Sequence, residues 1–169
     1  MGKHGQSVGL APLVQPDCTV LILGSMPSQK SLERQQYYGN PVNQFWKIIA
    51  AVYEISLTKD YARDVKLLQK CGIGLWDVIA SCRRAGSLDA NINTVKNNDI
   101  SAFLLQYNKI KKIGCNGGLA YQLLSRHLNA DIPVVNLPSS SPAHTVGIDN
   151  KICAWRQLLR GAGEMQIPL

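Results

Sequence analysis

Residues 19–28 read TVLILGSMPS, an apolar, β-branched run that ends at Gly24 and continues into a short polar loop. Because the run has no polar alternation, it predicts a strand buried on both faces of a parallel sheet. Short apolar runs recur at 74–78, 110–115 and 132–137, separated by segments of helical periodicity. This alternation predicts an α/β fold: a three-layer α/β/α sandwich whose central, mostly parallel sheet has about four short strands.

The connections between these strands fall into helices and loops. Apolar residues at helical spacing predict helices over residues 43–56, 60–71, 100–107, 119–128 and 148–159. The polar, aromatic segment up to residue 41 is expected to be a loop. Residues 81–98 contain turn signals and no clear period, which predicts a long surface loop.

Length and composition bound the class of protein. The chain has 169 residues, enough for one domain over 1–169, of which we expect the first ten residues or so to be flexible. Hydrophobic residues make up 46% and charged residues 17%, which excludes a disordered chain. No apolar run approaches the ~20 residues that cross a bilayer, so we expect a soluble, cytoplasmic protein without a membrane partner.

Charge and cysteine content concern partners and cofactors. The net charge of +7 favours polyanionic partners without selecting among them. The five cysteines are widely spaced, which predicts reduced thiols and no metal site or cofactor. Nothing in the sequence indicates an obligate protein partner, and we expect a monomer.

Three loops follow predicted strand ends, at residues 24–28, 115–118 and 137–142. In parallel sheets, ligands bind outside the carboxyl ends of the strands, so these loops should share one rim. Gly24 and the small residues after it allow a flat polar ring to approach main-chain N–H groups. An ordinary strand-to-helix turn is the alternative interpretation.

Residues 35–46 crowd amides and aromatic rings into a loop downstream of the first turn. Tyr37 and Tyr38 are candidates for stacking on a base, whereas Phe45 and Trp46 fit a core. Asn43 could read a base edge or orient a water. It is equally suited to cap the helix that follows, and the spacing leaves both roles open.

A second group of polar residues suits contacts to a nucleic-acid backbone. Ser139, Ser140 and Ser141 stand between two prolines, and their hydroxyls and N–H groups can hold a phosphate. His144 lies three residues further on, either at the DNA or at a leaving group. Two adjacent arginines in the predicted surface loop, Arg83 and Arg84, are further candidates for phosphate contacts.

Together these motifs resemble the uracil-DNA glycosylase superfamily. In its mismatch-specific enzymes the first motif reads Gly-Ile-Asn-Pro-Gly and the next Pro-x-Asn-Arg-Phe-Trp; this chain has GSMPS at 24–28 and PVNQFW at 41–46. The first motif's Gly-Ser-Met-Pro form, the QYYGNP loop at 36–41 and GSLD at 86–89 are most similar to the hypoxanthine (deoxyinosine) branch. The superfamily's second motif corresponds to LPSSSP at 137–142.

The resemblance implies a DNA repair glycosylase that flips a deaminated base, hypoxanthine or uracil, out of DNA and hydrolyses its bond to the sugar. It places a base-binding pocket around the first motif and the 36–41 loop, at Gly24, Met26, Pro27, Tyr38 and Asn40. Tyr38 falls at the stacking position, and the serines of the second motif contact DNA.

The sequence departs from the family pattern in the first motif and at the start of the second, where Leu137 stands in place of a His. Ser25 stands where related enzymes have the Asn or Asp that positions water, and a hydroxyl is a poor general base. Asn43 therefore becomes the main catalytic candidate beside Ser25. No lysine matches a catalytic position, which implies a monofunctional enzyme. A binding module of the same fold without catalysis, and a nucleotide-binding hydrolase, remain alternatives.

Overall fold

The computed structural model describes residues 5–160 of the chain. This part contains seven strands and six α-helices. In chain order they are β1 (Gln6–Val8), β2 (Val20–Gly24), α1 (Gln29–Arg34), α2 (Phe45–Tyr53), α3 (Tyr61–Lys70), β3 (Ile73–Asp77), β4 (Ile79–Arg84), β5 (Ile92–Asn97), α4 (Ile100–Gln106), β6 (Lys112–Asn116), α5 (Gly118–His127), β7 (Val134–Leu137) and α6 (Ile148–Arg160).

The main sheet has four strands in the order β3-β2-β6-β7, and every neighbouring pair is parallel. Strand β2 lies in the interior of the sheet, where Ile22 stands opposite Leu75 on β3 and Gly114 on β6. The carboxyl ends of all four strands therefore lie along one edge. The predicted three-layer α/β fold with a parallel sheet of about four strands is confirmed.

Helices cover both faces of this sheet, because alternate side chains of a strand point to opposite sides. Ile22 packs in a cluster with Phe45 of α2 and Trp155 of α6. Leu21 and Leu23 face the other way, in a cluster with residues of α4 and α5. All three β2 side chains are fully buried, as expected for a strand without polar alternation.

One further helix, α1, forms where the sequence predicts only a loop. Ser28 caps it by accepting a hydrogen bond of 3.1 Å from the backbone N–H of Ser31. Helix α1 has six residues and follows the first motif directly. A segment this short carries little periodic signal, which explains why the sequence pattern does not reveal it.

The prediction of a surface loop over residues 81–98 is wrong. Strands β4 and β5 form an antiparallel hairpin, and β1 pairs with the other edge of β4. Most of β5 is exposed, and the register between β4 and β5 shifts twice, so neither alternation nor spacing marks the strands. Residues 6–8, within the segment expected to be flexible, form β1, while residues 1–4 lie outside the described part.

Two structural features that would indicate other kinds of function are absent from residues 5–160. No helix in this range is both long and apolar enough to cross a bilayer. The same range holds no group of three or more His, Cys, Asp or Glu side chains arranged to bind a metal ion.

Candidate active site

A cavity of about 460 Å³ opens at the carboxyl ends of the parallel strands. Its walls come from the first motif, the Tyr38–Asn43 segment, the second-motif loop and the turn of the β4–β5 hairpin. It is lined by Gly24, Ser25, Met26, Pro27, Tyr38, Asn40, Asn43, Ser139, Ser140, Ser141 and His144, which are all of the predicted site residues except Arg83 and Arg84. A smaller cavity of about 330 Å³, beside α4 and α5, contains none of them.

Asn43 uses its side-chain oxygen within the protein. Oδ1 accepts a hydrogen bond of 2.9 Å from the Phe45 N–H, at the start of α2, and another of 2.9 Å from the Ser140 hydroxyl. Both side-chain hydrogen bonds of Asn43 within residues 5–160 are made by Oδ1, and the residue lies on the cavity wall. Asn43 thus caps the first N–H of α2 from the position before the N-cap residue Gln44, and its Nδ2 donors are left for a ligand.

Ser140 connects two amide side chains at the back of the cavity. Its hydroxyl donates to Asn43 and accepts from Nδ2 of Asn116 at 2.8 Å, while its own N–H donates to Oδ1 of Asn116 at 2.8 Å. Ser140 as a whole is 1% exposed. The predicted DNA contact through the Ser140 hydroxyl is therefore wrong: this group orients Asn43 and Asn116 from inside the protein.

The remaining polar residues of the second motif lie nearer the surface. The hydroxyl oxygen of Ser139 accepts from the Ser141 N–H at 3.1 Å, and that of Ser141 accepts from the Ala143 N–H at 3.2 Å. Each hydroxyl keeps its own proton for a further acceptor such as a phosphate oxygen. His144 is exposed at the mouth of the cavity. The DNA-contacting roles of these three residues stay predictions.

A buried lysine fixes this loop from below. The ammonium group of Lys151, fully buried in α6, donates to Gln44 Oε1 at 2.9 Å and to the Ser141 carbonyl at 3.1 Å. Burial lowers its pKa. Trp155, one turn further along α6, donates its Nε1–H to the Pro138 carbonyl at 2.7 Å. The second-motif loop is therefore held to α6 at two points.

The structure corrects the interpretation of Arg84 as a phosphate contact. Its side chain is buried, and its guanidinium donates to the carbonyls of Pro27 and Ser87. It therefore joins the hairpin turn to the first-motif loop and has no surface to offer a phosphate. Arg83, next to it on β4, points outward and is exposed, and its role at DNA stays a prediction.

The docked hairpin brings a carboxylate to the first motif. The Ser25 hydroxyl donates a hydrogen bond of 2.7 Å to Oδ1 of Asp89, in the turn between β4 and β5. Burial raises the pKa of Asp89, and the bond from Ser25 lowers it. Ser25 thus has an acidic partner from a segment 64 residues away. Sequence reasoning noted the GSLD segment but assigned Asp89 no role.

A second carboxyl group, Asp77, forms the floor of the cavity at the end of β3. In the sheet register it stands beside Gly24, and it is 4% exposed. Its pKa is raised to about 7, mainly by burial and also by the charge on Asp89, while Arg84 acts in the opposite direction. Sequence reasoning missed this residue, because it ends an apolar run, where one acid resembles an ordinary strand terminus.

The two predicted stacking tyrosines have different surroundings. Tyr37 is 3% exposed, and its hydroxyl donates to the Ala11 carbonyl at 2.8 Å, so it belongs to the core and its predicted stacking role is wrong. The Tyr38 ring stacks on Phe45 with centroids 4.0 Å apart, and its hydroxyl points to the cavity floor. Phe45 is fully buried, as predicted.

Comparison with known proteins identifies this arrangement. The family model described as the uracil DNA glycosylase superfamily matches residues 11–159. The chain belongs to the uracil DNA glycosylase superfamily. Within this superfamily, the matched range includes every residue that lines the cavity.

Individual members of the superfamily are similar over nearly the whole chain. A hypoxanthine DNA glycosylase of Methanosarcina acetivorans is 36% identical over 90% of this chain and 97% of its own length. One of Methanosarcina barkeri is 28% identical over the same shares. The solution NMR structure of a Methanosarcina acetivorans protein, provisionally named a uracil DNA glycosylase, aligns with a TM-score of 0.74 and 32% identity, over 92% of this chain and 99% of that one.

Proposed function

We propose that this DNA glycosylase removes hypoxanthine from deoxyinosine in DNA as a monofunctional enzyme, with uracil as an additional base. One observation carries the proposal: loops from separate strand ends converge on one cavity, and Asn43 presents unengaged N–H donors there. The two relatives named hypoxanthine DNA glycosylases support the choice of base. A base within a duplex cannot reach such a cavity, so it must be flipped out of the stack first.

The polar groups of the cavity suit cleavage with departure of the base as an anion. As the bond from C1′ to the base breaks, its electron pair leaves with the base and the sugar becomes cationic. The N–H donors of Asn43 stabilise the negative charge on the base, and the carboxylate of Asp89, held by Ser25, stabilises the sugar cation. Water then adds to C1′ and loses a proton, which leaves an abasic site.

The structure changes the expected chemistry of Asn43. Orienting a water by accepting its proton requires a free oxygen, and Oδ1 of Asn43 already accepts two hydrogen bonds. The free group is the donor Nδ2. Stabilisation of the leaving base is therefore the role that its hydrogen bonds support.

Base release from labelled oligonucleotides tests this proposal. Duplexes and single strands that carry one deoxyinosine or one deoxyuridine are incubated with excess enzyme, and abasic sites are cleaved by alkali. We expect release of hypoxanthine and no enzyme–DNA adduct on borohydride treatment. Tight binding to damaged DNA without release would indicate a binding module, and turnover of free nucleotides would indicate a hydrolase.

Two variants of Asn43 separate chemistry from capping. Asn43→Ala removes both the cap and the donors, whereas Asn43→Asp keeps an oxygen for Phe45 and loses the donors. We expect both to lower single-turnover release by at least ~10²-fold while DNA binding survives. Asn108→Ala, at an exposed asparagine after α4, is the control. Release near the wild-type rate by Asn43→Asp would show that the residue is only a cap.

A further inference from the structure

Two polar atoms at the floor of the cavity lack protein partners. Oδ2 of Asp77 and the hydroxyl of Tyr38 are both buried, and neither makes a hydrogen bond with any described residue. The Asn116 amide lies near the Tyr38 hydroxyl and donates one of its two Nδ2 hydrogens to Ser140. Buried polar groups in native proteins are almost always paired, so two such atoms in one cavity call for an explanation.

Both side chains converge on the backbone of Gly24. An ideal Cβ at this position would lie 2.5 Å from Oδ1 of Asp77 and 3.3 Å from the Tyr38 hydroxyl. Any other residue would therefore fill the space between the two groups. The glycine leaves this space open at the carboxyl end of β2, inside the cavity.

The backbone conformation of Tyr38 is strained. Its φ angle is 52°, in the left-handed region that bulky residues rarely adopt. The stacking contact with Phe45 fixes the ring in this conformation. Strain of this kind persists where the surrounding structure holds it, typically at functional sites.

We propose that Asp77 and Tyr38 read the edge of the flipped base, which makes Asp77 a residue that determines specificity. The Asp77 carboxylate accepts the hydrogen of the ring N–H, and the Tyr38 hydroxyl donates to the adjacent carbonyl oxygen. Hypoxanthine offers this pair as N1–H and O6, and uracil as N3–H and O4. The inference rests on the proposed function and names the groups that recognise the base.

The same pair rejects adenine, from which hypoxanthine arises by deamination. Adenine has a lone pair at N1 and an amino group at C6, so its donor and acceptor positions are exchanged. The bond to the sugar fixes how the base enters the cavity, and adenine then sets a lone pair against the carboxylate. A site built around such hydrogen bonds rejects a base that cannot make them, since its own buried groups stay unpaired.

The electrostatic surroundings of Asp77 are consistent with a carboxylate to which the protein itself supplies no hydrogen-bond donor. The charged group that favours its ionised form is Arg84, while Asp89 and burial disfavour it, and Tyr37 and Tyr38 contribute no positive charge. A ring N–H from the base would supply the hydrogen bond that the protein does not. Within residues 5–160, the side chain that bonds to Asp77 is that of Asn98, and it donates to the Asp77 backbone carbonyl, not to the carboxylate.

A comparison of two substrates in two enzymes tests whether Asp77 recognises the base. Single-turnover release is measured from duplexes that carry deoxyinosine or deoxynebularine, whose purine lacks both O6 and the N1 hydrogen. The enzymes are the wild type and Asp77→Ala, which has no side-chain oxygen to accept the ring N–H, with Asp131→Ala as the control at an exposed aspartate. Taking the ratio of the two substrates within each enzyme cancels the different leaving abilities of the bases.

We expect Asp77→Ala to lower the ratio of hypoxanthine to purine release by at least ~10-fold, and Asp131→Ala to leave it unchanged. Equal losses on both substrates, or no loss, would overturn the inference while leaving the proposed function intact. Failure of the wild type to release hypoxanthine would overturn the proposed function itself. Circular dichroism confirms folding, and if Asp77→Ala does not fold, Tyr38→Phe carries the same comparison with the same expected fall.

Discussion

Replacing Asp77 by asparagine should stabilise the protein, and more so as the pH rises. The carboxyl group is 4% exposed, and its pKa is raised from 3.8 to about 7, first by burial and then by Asp89. Between these values the folded protein binds a proton that the unfolded chain has released. Stability therefore falls as the pH rises from about 4 and levels off above about 7.

The size of the effect follows from the pKa difference. Each pKa unit corresponds to 1.36 kcal/mol, so a difference of about 3 units reduces the wild-type free energy of unfolding by roughly 4 kcal/mol between pH 4 and pH 8. The asparagine variant lacks this loss. For a domain of this size, 1 kcal/mol changes Tm by about 2–4 °C, so the difference in Tm between variant and wild type should grow by ~10 °C.

Thermal unfolding followed by circular dichroism from pH 4 to pH 8 measures this difference. Other titrating groups are common to both proteins, so their contributions cancel in the comparison. Asp131→Asn, at an exposed side chain, is the control for removing one carboxylate from the surface. A constant difference for Asp77→Asn would refute the reasoning, because it would mean that this carboxyl ionises equally easily in both states.

Two further predictions concern the groups that hold the cavity together. Ser140→Ala leaves a buried donor of Asn116 without its partner and removes one of the two hydrogen bonds to Asn43 Oδ1. It should therefore cost about 1–3 kcal/mol of unfolding free energy and lower base release at least ~10-fold. Ser141→Ala should do less in both assays. Arg84→Met should cost about 1.5–3 kcal/mol in urea unfolding. Arg83→Ala should leave the free energy of unfolding unchanged and should reduce the number of ions released on DNA binding, measured from the salt dependence, by about one. Equal effects of the two arginine variants on DNA binding would contradict the assignment of Arg84 to the interior.

The location of the site could be predicted from sequence because it depends on local features. Apolar runs mark parallel strands, and parallel strands place their carboxyl ends at one edge. Any glycine-rich or serine-rich loop after such a run therefore lies near the others, as residues 24–28 and 139–144 do. No knowledge of side-chain contacts is needed for this step.

The hydrogen bonds within the site could not be predicted in this way. Asn43 and Ser140 are 97 residues apart, and their hydrogen bond, together with the local one from Phe45, holds the oxygen of the Asn43 amide. The sequence left capping and substrate contact as alternatives for Asn43. In the structure the oxygen is engaged at the start of α2 and by Ser140, which leaves the nitrogen for the substrate contact that we propose.

The hairpin links the stability of a surface element to the chemistry of the cavity. The first motif carries Ser25 in place of an acidic or amide residue, and the carboxylate beside it comes from Asp89 in the hairpin turn. That turn is joined to the first motif through Arg84, a buried cation that contacts carbonyls on both sides. Loss of Arg84 should therefore displace Asp89 as well as destabilise the fold. A negative charge at the first motif depends in this protein on the packing of a hairpin whose strands are too polar and irregular to be recognised in the sequence.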